Sequence, residues 1–227
     1  MFDTVILLSG SRDQQYALGR LLETHRPGFT FHGATTLEDL AAIPATALPR
    51  ARLIAFTTGV IVPADFLAAL GHGAYNFHPG PPDYPGWAPA HFALYDGATS
   101  FGATAHEMTA RVDDGPIVGV EGFVLRQPIT LQELEQIAYV RCAYLFWRLS
   151  AALARPEPLP RLPLGWSGRK STKAIYRALC DLPRDISAEE LQRRVRAFSD
   201  SFRGIPLTLS LHGARFALTP PPLAPTG

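Results

Sequence analysis

The most constraining feature of the chain is a series of short apolar runs, each bounded by turn-forming residues and separated by stretches with helical spacing. TVILLS (Thr4 to Ser9) and RLIAFT (Arg52 to Thr57) are rich in β-branched and large apolar residues, with no polar alternation. Such runs suit strands covered on both faces, as in parallel sheets. Between and after them come a helix pattern over Asp13 to Glu23, a second strand over Phe29 to Gly33 and a short helix over Leu37 to Ala42. A proline-started helix follows over Pro63 to Leu70, then a fourth strand over Ala74 to Phe77. Strand and helix alternating at this spacing predict an α/β fold, a Rossmann-like and mostly parallel sheet with helices on both faces.

The chain continues with a helix over Pro89 to Tyr95, a strand over Phe101 to Met108, a tight turn over Arg111 to Pro116 and a strand over Ile117 to Leu125. A long amphipathic helix over Leu131 to Leu153 closes the core expected for residues 1–154. Four prolines in RPEPLPRLP make 155–164 a linker. Residues 165–218 read as a small C-terminal helix-hairpin appendage, with one helix over Ala188 to Phe198 and a hairpin turning at His212-Gly213. Residues 219–227 (TPPPLAPTG) read as a disordered tail.

Composition narrows the function. Of 227 residues, 47% are apolar and 18% charged, enough for a sizeable core, and the net charge is about +1. A clustered basic excess, the footprint of a nucleic-acid binder, is absent. Cys142 and Cys180 make neither a disulfide framework nor a metal spacing. The N-terminus lacks a signal-peptide pattern and no apolar run is long enough to span a membrane, so a cytoplasmic protein is expected.

The chemistry concentrates in AYNFHPGPPDYPGW (Ala74 to Trp87). Four prolines and two glycines make it a shaped loop that is neither helix nor central strand. Asn76 and His78 stand two apart at a strand end, so both side chains share a face. In parallel sheets ligands bind beyond the carboxyl ends of the strands. A carboxylate follows in VDDGP, where Asp113 and Asp114 are both candidates.

NFHPGPPDYPG, FGATAH and VDDGPI, in that order, resemble the pattern of the 10-formyltetrahydrofolate-dependent formyltransferases: N-x-H-P, a proline-rich loop ending in glycine, G-x-T-x-H, then D-x-G before an apolar strand. LIAFTTGVIVPADFL resembles that family's entry to the folate pocket, and the resemblance covers Leu53 to Leu125. It implies formyl transfer from 10-formyltetrahydrofolate to a primary amine. By resemblance Asn76 and His78 stabilise the negative charge on the formyl oxygen, and Asp113 sets the proton chemistry of His78 while Asp114 shapes the turn. Thr57, Thr58, Gly59, Val60, Ile61, Thr104 and Val112 take the folate; Gly10, Ser11, Arg12, Tyr84 and Trp87 take the acceptor. His106 matches the pattern but also suits a structural strand histidine; His25, His32, His72, His91 and His212 read as structural.

YPGWAPAHFAL is similar to the methionyl-tRNA and sugar-amine branches, and SGSRDQQ lacks the asparagine of the glycinamide ribonucleotide enzymes' phosphate loop. The appendage is too short and too mixed in charge to suit a tRNA, which leaves a small-molecule acceptor, an amino sugar carried on a nucleotide. Departures in the proline-rich loop put the acceptor in question, and the alternatives are a glycinamide or aminoacyl-tRNA acceptor, a hydrolase releasing formate, or a non-catalytic folate-binding domain. A nicotinamide-dependent enzyme would want G-x-G-x-x-G after the first strand, and SGSRDQQ does not supply it. The C-terminal hairpin offers an edge through which a homodimer could pair.

Overall fold

The computed structural model describes residues 1–199 and 203–219. Chain order is β1 (Thr4–Ser9), α1 (Arg12–His25), β2 (Thr30–Ala34), α2 (Leu37–Ala41), β3 (Ala51–Phe56), α3 (Ala64–Ala69), β4 (Ala74–His78), α4 (Pro89–Asp96) and β5 (Ser100–Glu107). Then come β6 (Ile117–Val124), α5 (Leu131–Leu153), α6 (Lys173–Cys180), β7 (Asp181–Leu182), α7 (Ala188–Phe198), β8 (Thr208–Leu211) and β9 (Ala214–Ala217). The expected tail, apart from Thr219, lies outside the described residues.

The main sheet has the order β2-β1-β3-β4-β5-β6. The first four strands are parallel, and β5 and β6 join antiparallel. β1 and β3 are buried at every position, as their unbroken apolar runs require. Val5, Leu7, Ile54, Phe56, Tyr75 and Phe77 face α1 and α5. Ile6, Leu8, Leu53 and Ala55 face the opposite layer, where Leu40, Phe66 and Leu67 of α2 and α3 cover them. Strand order reverses between β1 and β3, so the carboxyl ends of β1, β3 and β4 open onto one crevice, the usual ligand position in such sheets.

The helix starts are written locally. Ser11, Thr36, Thr130, Thr172 and Ser187 each accept a backbone N–H in the first turn of the helix that follows. Thr36 with Asp39 and Thr130 with Glu133 form reciprocal capping boxes.

Beyond residue 164 the structure corrects one expectation. Two helices are present there, because KAIYRALC forms α6 behind its Thr172 cap. Its eight residues bury only Tyr176 and Cys180, too short a repeat to read as a helix without the cap. A second sheet of order β7-β8-β9 follows, with the foreseen hairpin turn at His212, φ 47°, and Gly213, φ 83°. Tyr176, Cys180, Phe198 and Leu207 share one apolar cluster with Leu94, Phe101, Leu131 and Leu134 from before residue 154. Among the described residues no helix is long and apolar enough to cross a membrane.

Candidate active site

Side chains alternate along β4, so Tyr75 and Phe77 turn into the core while Asn76 and His78 turn to the crevice side. β5 lies antiparallel beside it with Asn76 opposite His106 and His78 opposite Thr104. The register of β5 against β6 shifts between Ala105 and His106. Such irregularities commonly re-aim a side chain beside a site. The turn between β5 and β6 then brings back Asp113 at φ 43°, a left-handed conformation that a short polar side chain tolerates.

Asp113 gathers the cluster. Its Oδ1 lies 3.1 Å from His106 Nε2 and 3.5 Å from Asn76 Nδ2. Its Oδ2 accepts the Gly86 N–H at 2.7 Å and lies 3.4 Å from His78 Nδ1. His78, His106 and Asp113 are all buried, whereas Asn76 is half-buried. Gly80 leaves room for the His78 ring, since a side chain there would strike it and Pro89. The Thr104 hydroxyl donates to the Gly80 carbonyl at 2.7 Å and fixes the start of the loop.

Burial alone would push the Asp113 carboxyl up. The charges of His78 and His106 and the Gly86 N–H overcome it and draw the group down to about 2. For His78, burial dominates and lowers its pKa, while the Asp113 charge and the Tyr84 carbonyl act the other way. Those two acceptors hold both ring nitrogens, Nε2 at 3.0 Å from Tyr84 O and Nδ1 near Asp113. A neutral imidazole can donate to only one of them. The ring is therefore kept neutral by its surroundings yet shaped to receive a second proton. His106 is held at both nitrogens in the same way, Nδ1 at 2.8 Å from Glu107 O and Nε2 at 3.1 Å from Asp113 Oδ1 and from Asn76 Nδ2.

A cavity of about 350 Å³ opens at this cluster. It is lined by Thr58, Gly59, Val60, Ile61 and Val112, and also by Trp87, Lys170, Ser171 and Thr172. Thr57 lies outside this lining; at φ 46° it turns the chain out of β3, and its N–H donates to Phe77 O. Thr104 sits beneath the loop, outside the lining. The Tyr84 ring faces a separate cavity of about 280 Å³, shared with Phe92, Arg169 and Lys170. Ser11 caps α1, and Arg12 lines a groove between α1 and β2, so Gly10, Ser11 and Arg12 are not brought to the cluster. Asp114 is half exposed and 3.9 Å from Arg111.

His106, which the G-x-T-x-H pattern left open between a site role and a structural one, enters through its pairing opposite Asn76. One part of the site was not foreseen. Residues from beyond the proline-rich linker enter through a strap, 166–172, along the site loop. The Trp166 ring lies 5.0 Å from His106 and 5.9 Å from His78 between centroids, and its Nε1–H donates to Gly115 O. No spacing rule ties that strap to the loop.

Known proteins are similar to this chain in sequence and in fold. The methionyl-tRNA formyltransferase of Listeria monocytogenes is 37% identical over 86 residues, 37% of this chain and 26% of that protein, so the match spans about a quarter of the relative. A sugar N-formyltransferase from Shewanella superposes with a TM-score of 0.79 at 16% identity, covering 95% of this chain and 96% of that one. The N-formyltransferase of Helicobacter canadensis, solved with folinic acid and dTDP-3-aminofucose, superposes at 0.63 with 15% identity over 94% of this chain and 85% of that one. At these identities the two structures speak for the fold. The sequence model of the formyl transferase family matches residues 6–138, more than half of the chain, and on that match the chain belongs to the formyl transferase family.

Proposed function

We propose that this protein transfers a formyl group from 10-formyltetrahydrofolate to the primary amine of an amino sugar carried on a nucleotide. The observation that carries the reading is the buried cluster in which Asp113 draws Asn76, His78 and His106 to the wall of one cavity. The lining of that cavity combines apolar side chains such as Val60, Ile61 and Val112 with the Lys170 ammonium, as two different substrates would require.

The residues present suit a folate. Ile61, 64% exposed, and Val112, 43% exposed, are apolar side chains at the cavity rim, where a flat heteroaromatic ring would cover them. The segment 58–62 is neither strand nor helix, so its backbone groups can serve such a ring's polar edge. Thr58, Gly59, Val60, Ile61 and Val112 would hold the cofactor, with Thr57 setting the turn. The cofactor, when bound, supplies the formyl group.

Each residue then has a role in acyl transfer. The Asn76 amide is a donor suited to an oxygen that gains negative charge, and the His78 ring becomes a second once Nε2 exchanges Tyr84 O for that oxygen; loss of one such donor costs about 100- to 1000-fold. His78, neutral and flanked by two acceptors, takes the proton the amine releases. Asp113 stays ionised and favours the imidazolium that forms. For the acceptor, Lys170 offers a positive charge to a phosphate and Trp87 a flat wall. Tyr84 and Phe92, across Lys170, suit a nucleotide base. The nucleotide sugar bound to the Helicobacter relative favours this acceptor over an aminoacyl-tRNA.

Calorimetric titration with 5-formyltetrahydrofolate, alone and with nucleotide-linked amino sugars, tests the reading. Folate binding that tightens with one sugar is expected; no folate binding under any condition overturns it. A time course with 10-formyltetrahydrofolate and no acceptor separates transfer from hydrolysis.

A further inference from the structure

The loop that carries Gly86 cannot hold itself. Pro79, Pro81, Pro82 and Pro85 have no N–H to give. Of the donors left, Tyr84 N–H turns inward to Pro81 O at 3.0 Å, Gly86 N–H goes to Asp113, and Trp87 N–H goes to Ser171 O at 3.0 Å. Thr104 fixes the start of the loop, and its Gly86 end is held from outside, by Asp113 and by the strap.

The contacts are dense. Ser167 N–H donates to Pro82 O at 3.0 Å, and its hydroxyl to Asp83 O at 2.9 Å. Ser171 N–H donates to Pro85 O at 2.9 Å, and a parallel β bridge joins Gly86 to Ser171. The Ser171 hydroxyl, on a residue only 8% exposed, lies 2.7 Å from Trp87 O and 3.0 Å from Pro85 O. Those carbonyls flank Gly86 on both sides. Gly86 has φ 99°, and any side chain there would run into the Ser171 carbonyl, so the bridge admits only glycine.

We infer that Ser171 is a positioning residue for the reaction: with the β bridge it aims the Gly86 N–H at Asp113 Oδ2 and so fixes the carboxylate against His78 and His106. The inference rests on the formyl-transfer reading of Asp113. It makes the stretch beyond the linker part of the catalytic apparatus, one hydrogen bond removed from the cluster.

The test is Ser171→Ala, with Ser171→Thr as the conservative variant. The groups in contact with Asp113 are Asn76 and His78 from β4, His106 from β5 and the Gly86 N–H, and Lys170 and Arg111 are the charged side chains that share its cavity lining. In the wild type, the Gly86 amide proton resonance should lie downfield and report the titration of Asp113. In Ser171→Ala it should move upfield, and its titration midpoint should rise toward the ordinary carboxylate value, since a donor to the charged form is weakened. The rate at saturating substrate should fall about 10- to 100-fold, as misplacement of a catalytic group does. Folate affinity should change little, and Ser171→Thr should restore both readouts.

An unchanged Gly86 resonance and midpoint in Ser171→Ala overturns the inference, whatever happens to the rate. Should that variant not fold, amide hydrogen exchange on the wild type decides: Gly86, Trp87 and Ser171 should open together, and a Gly86 amide that exchanges independently of the other two overturns the inference. Absence of formyl transfer by the wild type to any acceptor would instead sink the functional reading, and the Gly86 resonance would be unaffected by it.

Discussion

Asp113 and Asp114 share a turn and almost nothing else. The first is 4% exposed, in contact with two imidazoles and a backbone N–H; the second faces solvent beside Arg111. Asp113→Asn keeps the shape but removes the charge that favours the imidazolium, so kcat should fall at least about 100-fold. Asp114→Asn should stay within about 2-fold, as exposed substitutions usually do. Steady-state kinetics of the pair checks both; the reverse pattern would mean the wrong carboxylate was assigned. Both aspartates were visible as candidates in VDDGP, and only the family pattern favoured the first. His106 was harder to read. Its neighbour across the sheet, Asn76, is thirty positions away, and no local pattern states which residue of β5 lies opposite which residue of β4.

At the scale of elements, the short apolar runs were legible because burial on both faces leaves no alternation to misread. Arg52 begins one of those runs and is fully buried, which a run of apolar neighbours does not explain. Its guanidinium ties three elements together. Nε donates to His72 O at 2.9 Å, Nη1 to Leu153 O and Arg155 O at 2.7 Å each, and Nη2 to Glu157 O at 2.8 Å. The ring of Phe2 lies beneath it at 5.0 Å. The carbonyls at the end of α5 and in the first residues of the linker would otherwise lack donors. A planar fork satisfies several carbonyls at once, and an ammonium cannot. Arg52→Lys should therefore cost roughly 2 to 4 kcal/mol, the range for stranding buried polar groups. Urea unfolding at neutral pH measures it, and a loss below about 1 kcal/mol, an ordinary single hydrogen bond, would show that the clamp is not needed.

The strap and the shared core make one unit of what composition divides at the linker. His91 sits where the two sides meet. It belongs to α4, yet it stacks on Phe198 of α7 at 28° and meets Tyr176 of α6 edge-on at 5.2 Å. It is fully buried, its Nδ1 has no hydrogen-bond partner among the described residues, and Arg203 donates toward Nε2 at 3.4 Å. Burial, aided by the Arg203 charge, lowers its pKa from 6.5 to about 3. The unfolded chain protonates this ring below pH 6.5 and the folded chain does not. Its contribution to stability is thus full above pH 6.5 and is lost as pH falls toward 3. At pH 5 the loss from this group alone amounts to about 2 kcal/mol. Asp113 adds a further loss only at lower pH, between the ordinary carboxylate range and about 2. His91→Phe removes the titrating group and keeps the ring contacts, while Arg203 retains Glu135 at 2.6 Å. Thermal unfolding at pH 7.5 and pH 5 should therefore show a smaller acid loss in the variant, by about 2 kcal/mol. It should show a single transition at both pH values, because the apolar cluster around His91 draws on both sides of the linker. Two separate transitions, or a variant as acid-sensitive as the wild type, would mean that His91 does not hold the C-terminal elements to the sheet.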